Sequence, residues 1–213
     1  MKGEKVLIQK LNTVADWIIR IVMINIITII LSLPIITLYP AVSAGYRLFS
    51  DYVNKDEVHI ISGYYEYFKK DLWKKIVLGL VFVLVIILGY ANVTYYLEYV
   101  NQESGLFYLM GYYVTIILLM IAFVVVLYSF TVVSVYPKAK YMTIYKLSFY
   151  LSGRYFLKTI LLIVSTVLPF LLLLTPLTAV MFVFSGVSLS ILLNVILTRQ
   201  AVIYLKGLGE KNV

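Results

Sequence analysis

Four long stretches of the chain carry no charged residue: 21–46, 76–97, 104–137 and 159–198. A charge at the centre of a bilayer costs at least a few kcal/mol, so a chain that withholds charge over such lengths is written for lipid. About 18 consecutive apolar residues nominate a spanning helix, because at roughly 1.5 Å per residue about 20 of them cross a hydrocarbon core about 30 Å thick. All four stretches qualify. Hydrophobic residues fill 62% of the 213 positions, more than one soluble core of this size would hide.

The fold class that follows is all-α: a polytopic membrane protein with five transmembrane helices, about 17–38, 75–97, 106–135, 155–175 and 177–199, joined by short amphipathic cytoplasmic helices. The last charge-free run holds two of the five, since as one helix it would extend about 60 Å, twice the core thickness. Thr175-Pro176 supplies the turn, because proline cannot donate to the helix ladder and disfavours helix in its predecessor. Pro169 reads as a kink within the fourth span, its freed carbonyl met by neighbours such as Ser165. No polar insertion is long enough for a soluble domain, so residues 1–213 read as a single integral membrane domain.

The cations sort the connections. Lys2, Lys5, Lys10 and Arg20 precede the first run, and Arg47, Lys55, Lys69, Lys70, Lys74 and Lys75 fill the first long connection. Residues 98–104 hold only Glu98 and Glu103, whereas 136–158 holds Lys138, Lys140, Lys146, Arg154 and Lys158 with no acid, and the tail has Arg199, Lys206 and Lys211. Lys and Arg near span ends stay in the cytoplasm, so 47–75, 136–158 and the C-terminus are expected inside, in a multi-pass protein of the cell membrane. The first run leaves two threadings open. It crosses once, with the N-terminus outside, or the segment after Pro34 re-enters and the N-terminus stays inside. A loose internal echo favours the first: Tyr39-Pro40 followed by Ser62-Gly63-Tyr64-Tyr65 is matched by Tyr136-Pro137 followed by Ser152-Gly153-Arg154-Tyr155, as parallel repeats would have it.

In 57–76, Ile61, Tyr64, Tyr65, Phe68, Leu72 and Ile76 recur at spacings of three and four, the pattern of an amphipathic helix lying on the headgroups. Tyr64, Phe68, Lys69, Lys70 and Trp73 form a candidate partner interface there, against the plainer reading of a lipid-lying anchor. The 139–151 stretch, with Tyr141, Ile144, Tyr145 and Phe149, is similar but less regular.

The chemistry on offer is sparse. There is no cysteine and one histidine, His59, which leaves no thiolate chemistry and no histidine-rich metal site. Asp51, Asp56, Glu57, Glu66 and Asp71 share one cytoplasmic connection with basic residues, as solvated pairs do. The expectation is a protein that is not an enzyme, with no catalytic residue, cofactor or metal. Its basic residues flank spans and fit a lipid bilayer as partner rather than nucleic acid. Among polar residues at depth, Asn25 and Asn194 stand out for hydrogen bonding between helices. Tyr95, Tyr96, Tyr99, Tyr108, Tyr112 and Tyr113 gather at the outer boundary as an aromatic belt.

The run Ser32-Leu33-Pro34-Ile35-Ile36-Thr37-Leu38-Tyr39-Pro40-Ala41, then Val42-Ser43-Ala44, resembles the YesL-like family of small bacterial membrane proteins (domain of unknown function 624). The family's signature is Ser-Leu-Pro-x-x-Thr-x-Gly-Pro-Ala-x-x-Ala after the first span, matched here by Ser32, Leu33, Pro34, Thr37, Pro40, Ala41 and Ala44, with Tyr39 where glycine is usual. Tyr67-Phe68-Lys69-Lys70 also looks like the family's aromatic and lysine segment. The resemblance implies an accessory or regulatory role in carbohydrate ABC import, with ABC importer subunits as partners. The alternative is a stand-alone transporter or channel for a small neutral solute.

Overall fold

The computed structural model describes residues 2–100 and 105–210. The outer connection at 101–104 with Glu103, the tail beyond 210 with Lys211, and the side chains of Lys2 and Lys5 lie outside the described residues. The elements are α1 (Lys2–Ser32), a 3-10 turn (Ile35–Thr37), α2 (Leu38–Val53), α3 (Ile60–Lys69), α4 (Leu72–Val100), α5 (Leu106–Val135), α6 (Tyr141–Arg154) and α7 (Phe156–Val167), then a 3-10 stretch (Leu168–Leu174), α8 (Pro176–Met181), a π turn (Phe182–Gly186) and α9 (Val187–Glu210). Five segments are long and apolar enough to cross a membrane: Lys10–Ser32, Leu72–Tyr99, Leu106–Val135, Phe156–Leu174 and Pro176–Gly209. The chain is an all-α, multi-pass membrane protein. Its residues gather into two compact units, one of residues up to Lys70 with Leu162–Leu197, the other of Asp71–Leu161 with the residues from Thr198 onward.

The first unit is built on a helical hairpin. Pro34 takes an extended conformation (φ −74°, ψ 121°) and α1 ends at Ser32, short of the expected residue 38, because proline lacks the N–H that would extend the ladder. The tip is apolar and exposed, with Leu33 at 76% and Ile35 at 68%. Its polar groups are met locally: the Thr37 N–H donates to the Pro34 carbonyl at 2.9 Å and the Thr37 hydroxyl lies 2.6 Å from the Leu31 carbonyl. That is what a lipid-facing turn requires, since no water is present to serve an orphaned group.

From the tip, α2 runs back antiparallel to α1. A Cβ on Gly45 would lie 3.6 Å from both Ile24 and Thr28, and the Arg20 guanidinium sits 4.2 Å over the Tyr52 ring. The 16 residues of α2 rise about 24 Å and return the chain to the level of Arg20. Most of α2 is buried, including Ala41, Ala44, Leu48 and Phe49 at 0% exposure. Residue 39 is helical, and the only non-glycine residues with positive φ among those described are Lys55 and Asp71. Tyr39 therefore sits at this position without backbone strain. Asp71, at φ 52°, divides the amphipathic stretch expected over 57–76 into α3 and the start of α4.

The C-terminal part of the first unit contains the other turn. Pro176 opens α8 while the Thr175 hydroxyl accepts from the Thr178 N–H at 3.3 Å, and the Thr178 hydroxyl donates to the Leu172 carbonyl at 2.6 Å. At Pro169 the helix tightens to 3-10 geometry, and the Ser165 hydroxyl donates to the Leu162 carbonyl at 3.0 Å.

In the second unit α4 and α5 form an antiparallel pair. Gly89 meets Leu119 so closely that a Cβ would come within 2.3 Å, and the tyrosines at the far end stack, Tyr99 on Tyr108 at 5.1 Å. Helix α6 packs on α5 through Ile144, Ser148 and Leu151, all at 0% exposure, while Tyr145 meets Phe82 edge-on at 6.0 Å. Lys74 donates to the carbonyls of Pro137 and Ala139, filling acceptors that the chain turn after α5 exposes. Tyr39-Pro40 opens α2, whereas Tyr136-Pro137 follows the end of α5, so the two Tyr-Pro pairs of the internal echo occupy different places relative to their helices.

Gly45 is the contact on which α2 closes against the unit, with Ile191 only 3.2 Å from where a Cβ would sit. Gly45→Leu is expected to destabilise the protein by about 1–3 kcal/mol, as overpacking typically does, and Gly45→Ala by less. Thermal unfolding of the two variants in detergent checks this order.

Candidate functional site

The polar centre of the first unit is assembled from residues far apart in sequence. Asn25, fully buried on α1, faces the π turn. Its Nδ2 donates to the Val183 carbonyl at 2.6 Å and the Phe182 carbonyl at 3.1 Å, and its Oδ1 accepts the Ser188 N–H at 2.7 Å. One carboxamide thus serves a helix at the point where its regular ladder is interrupted. π turns are wide, poorly bonded and frequent at functional positions, and here the interruption is met by a side chain because lipid would not meet it. Gly186 permits the turn, since a Cβ there would fall 2.1 Å from the Phe182 ring.

A second polar knot ties the three N-terminal helices together. The Tyr64 hydroxyl donates to the Ala41 carbonyl at 2.8 Å and lies 2.9 Å from the Thr28 hydroxyl, which in turn is 2.6 Å from the Ile24 carbonyl. Two hydroxyl protons are shared among three oxygen contacts. Burial pushes the Tyr64 phenol well above the usual tyrosine range, opposed by the Thr28 hydrogen bond, so it remains a neutral donor. At the foot of the hairpin, Arg47 Nε lies 3.6 Å from Asp51, and Tyr67 hydrogen-bonds the same carboxylate. The Tyr67 phenol is pushed up to about 12, by burial first and then by Asp51, with Arg47 opposing. The Tyr52 hydroxyl donates to the Val58 carbonyl at 2.8 Å and fixes the link into α3.

The expected partner interface is divided by this packing. Tyr64 is 1% exposed and bonded inside the unit, Phe68 is half-buried, and Lys69 and Lys70 are exposed. Trp73, 75% exposed, belongs to the second unit. The apolar stripe of 57–76 is split, Tyr64 and Phe68 turning inward while Ile61 and Tyr65 turn outward at 65% and 55% exposure. The signature residues divide likewise, Leu33 and Pro34 in the exposed tip, Thr37 half-buried closing it, and Pro40, Ala41 and Ala44 buried along α2. Ser32 is half-buried at the end of α1. Asn194 is buried at 4% exposure on α9.

Sequence reasoning found Asn25 but not its partners, because a π turn at 182–186 has no signature beyond Gly186. Among the described residues no three of His, Asp and Glu gather as metal ligands would. His59 lines an open apolar groove with Ile19, Met23, Ile61 and Tyr65. At this centre Asn25, Thr28 and Tyr64, all neutral, hold a hairpin against a broken helix.

Comparison with known families matches residues 21–93 to the family described as Protein of unknown function, DUF624. The similarity covers residues 21–93 and no more of the chain. The matched region runs from the C-terminal part of α1 through α2 and α3 into α4, so it contains Asn25, the run at 32–44 and the Tyr64 knot. No curated protein and no solved structure matches the chain.

Asn25→Leu would leave two carbonyls and one N–H without their partner, and at about 0.6–1.7 kcal/mol for each such bond in a membrane protein the expected loss is about 2–5 kcal/mol. Tyr64→Phe keeps the ring and removes one hydroxyl, for an expected loss of about 1 kcal/mol. Unfolding in mixed micelles measures both, and equal effects would contradict the assignment of Asn25 as the heavier brace.

Proposed function

We propose that the protein is a non-catalytic membrane subunit that docks on another membrane assembly, a carbohydrate ABC importer, as accessory or regulator. The observation that carries the docking part is the outward stripe of α3. Ile61 and Tyr65 are exposed one turn apart, and Lys69, one turn further, holds its ammonium 4.3 Å over the Tyr65 ring. The unit's own hydrogen bonds leave this stripe unused, and its mix of aliphatic, aromatic and cationic groups suits an interface. The link to carbohydrate import rests on the family resemblance alone. Copurification after mild solubilisation tests the proposal: importer permease or ATPase is expected to be retained, and several-fold less of it by Ile61→Asp with Tyr65→Ala. A chain that never retains either component overturns it.

A solute pathway is the second reading, supported by helix breaks at Pro34, Pro169 and the π turn, since interrupted helices line the sites of many transporters. Flux of a neutral sugar into liposomes holding the purified chain alone would favour it over docking.

The hairpin also supports a threading. Because α2 returns to the level of Arg20, the segment before α1 and the basic connection at 54–75 share one side, and the charge rule makes that side cytoplasmic. This is the reverse of what the internal echo favours. With α2 as a short return, the chain crosses outward and back three times, and the C-terminus is also cytoplasmic, in the cell membrane. Single cysteines at Lys10, Lys55, Lys146 and Lys206 are expected to react from the cytoplasmic face only. Labelling of Lys10 from the external face alone would overturn the threading.

A further inference from the structure

Arg154, the last residue of α6, stands two residues before the membrane segment Phe156–Leu174. Its guanidinium lies 4.2 Å over the Tyr204 ring, and Nη1 donates to the Tyr150 hydroxyl at 2.9 Å. Tyr150 and Tyr204 stack at 6.2 Å with their hydroxyls 3.3 Å apart. The Tyr155 ring lies 6.0 Å from the same guanidinium, so the groups gathered around this cation are phenol rings and none is a carboxylate. The sequence explains why: no Asp or Glu occurs between Glu103 and Glu210. A guanidinium carries five N–H donors in a planar fork suited to a two-oxygen acceptor, and Tyr150 engages one of them through Nη1.

The surroundings are those of a lipid boundary. Phe156, Leu157 and Ile203, neighbours in sequence of Arg154 and Tyr204, are 64%, 77% and 63% exposed, which only acyl chains would cover favourably. Lys146, one turn before Tyr150, and Lys206, two residues after Tyr204, add exposed positive charge on the same two helices.

We propose that Arg154, Tyr150 and Tyr204 form a site for the phosphate of an anionic phospholipid, with the guanidinium fork bonding two phosphate oxygens, a phenol donating to a third, and the lipid's chains lying on Phe156, Leu157 and Ile203. Tyr204 orients the guanidinium through its ring, and Tyr150 holds it by a hydrogen bond. The site belongs to the second unit and is independent of any docking through α3.

The test uses the full chain in nanodiscs of phosphatidylcholine with or without phosphatidylglycerol, read by thermal unfolding and by lipid retention in native mass spectrometry. Phosphatidylglycerol is expected to raise the unfolding midpoint and stay bound. Arg154→Gln is expected to weaken this by roughly tenfold, as loss of a charge-assisted pair does. Arg154→Lys, which keeps the charge without the fork, and Tyr204→Phe, which keeps the ring without the hydroxyl, should fall between. Lys10→Gln, in the other unit, should match the unaltered chain. Retention by Arg154→Gln equal to the unaltered chain overturns the proposal, and so does an equal loss in Lys10→Gln, which would mean diffuse charge. Inorganic phosphate producing the same shift in phosphatidylcholine alone would mean a free-anion site and would overturn it as well.

Discussion

Inside a bilayer a backbone N–H or C=O that loses its helix partner has no water to turn to, and this structure is organised around the places where that happens. α1 stops at Pro34, α7 gives way to 3-10 geometry near Pro169, and the last membrane segment contains a π turn. At the tip, at the turn before α8 and at the π turn a neutral side chain supplies what the ladder does not: Thr37, Thr178 and the Asn25 carboxamide respectively. Where the break lies nearer the aqueous boundary, as after α5, a cation can do the same, and Lys74 does.

These repairs also fix the packing. The π turn is irregular enough to present carbonyls sideways, and α1 is held against it because Asn25 reaches them. With α1 placed, small residues on α2 let the return helix approach, Gly45 admitting Ile191 and Ala41 and Ala44 leaving no exposed surface. Close approach of small residues is how helices associate when lipid removes the hydrophobic drive between them. Tyr64 then joins α3 to the other two helices through one hydroxyl. The 32–44 run reads as the instructions for this hairpin: proline to end α1, threonine to close the tip, proline and alanines to start and pack α2.

Much of this was legible in the sequence, and the rest failed for identifiable reasons. Charge-free runs located the five membrane-crossing segments, and Thr175-Pro176 located the turn between the last two. Periodicity marked 57–76 as amphipathic but assigned Tyr64 to the outer stripe, because a tyrosine suits a membrane surface and a buried hydrogen-bonded site equally well. Asp71 cut that stretch by adopting φ 52°, a conformation aspartate tolerates but does not announce. Arg154 was visible only as one cation among several, since Tyr204 lies fifty residues away in sequence.

The sequence by itself determined which segments enter lipid, where their helices break and which connections hold the cations, because hydropathy, proline and charge act locally along the chain. Only the tertiary structure decided that α2 folds back along α1, that Asn25 meets Phe182, Val183 and Ser188, and that Arg154 is framed by phenols. Those outcomes depend on which surfaces can approach closely enough for a short hydrogen bond, and for Asn25 and Ser188 the partners are separated by 163 positions. No local pattern encodes a distance of that kind.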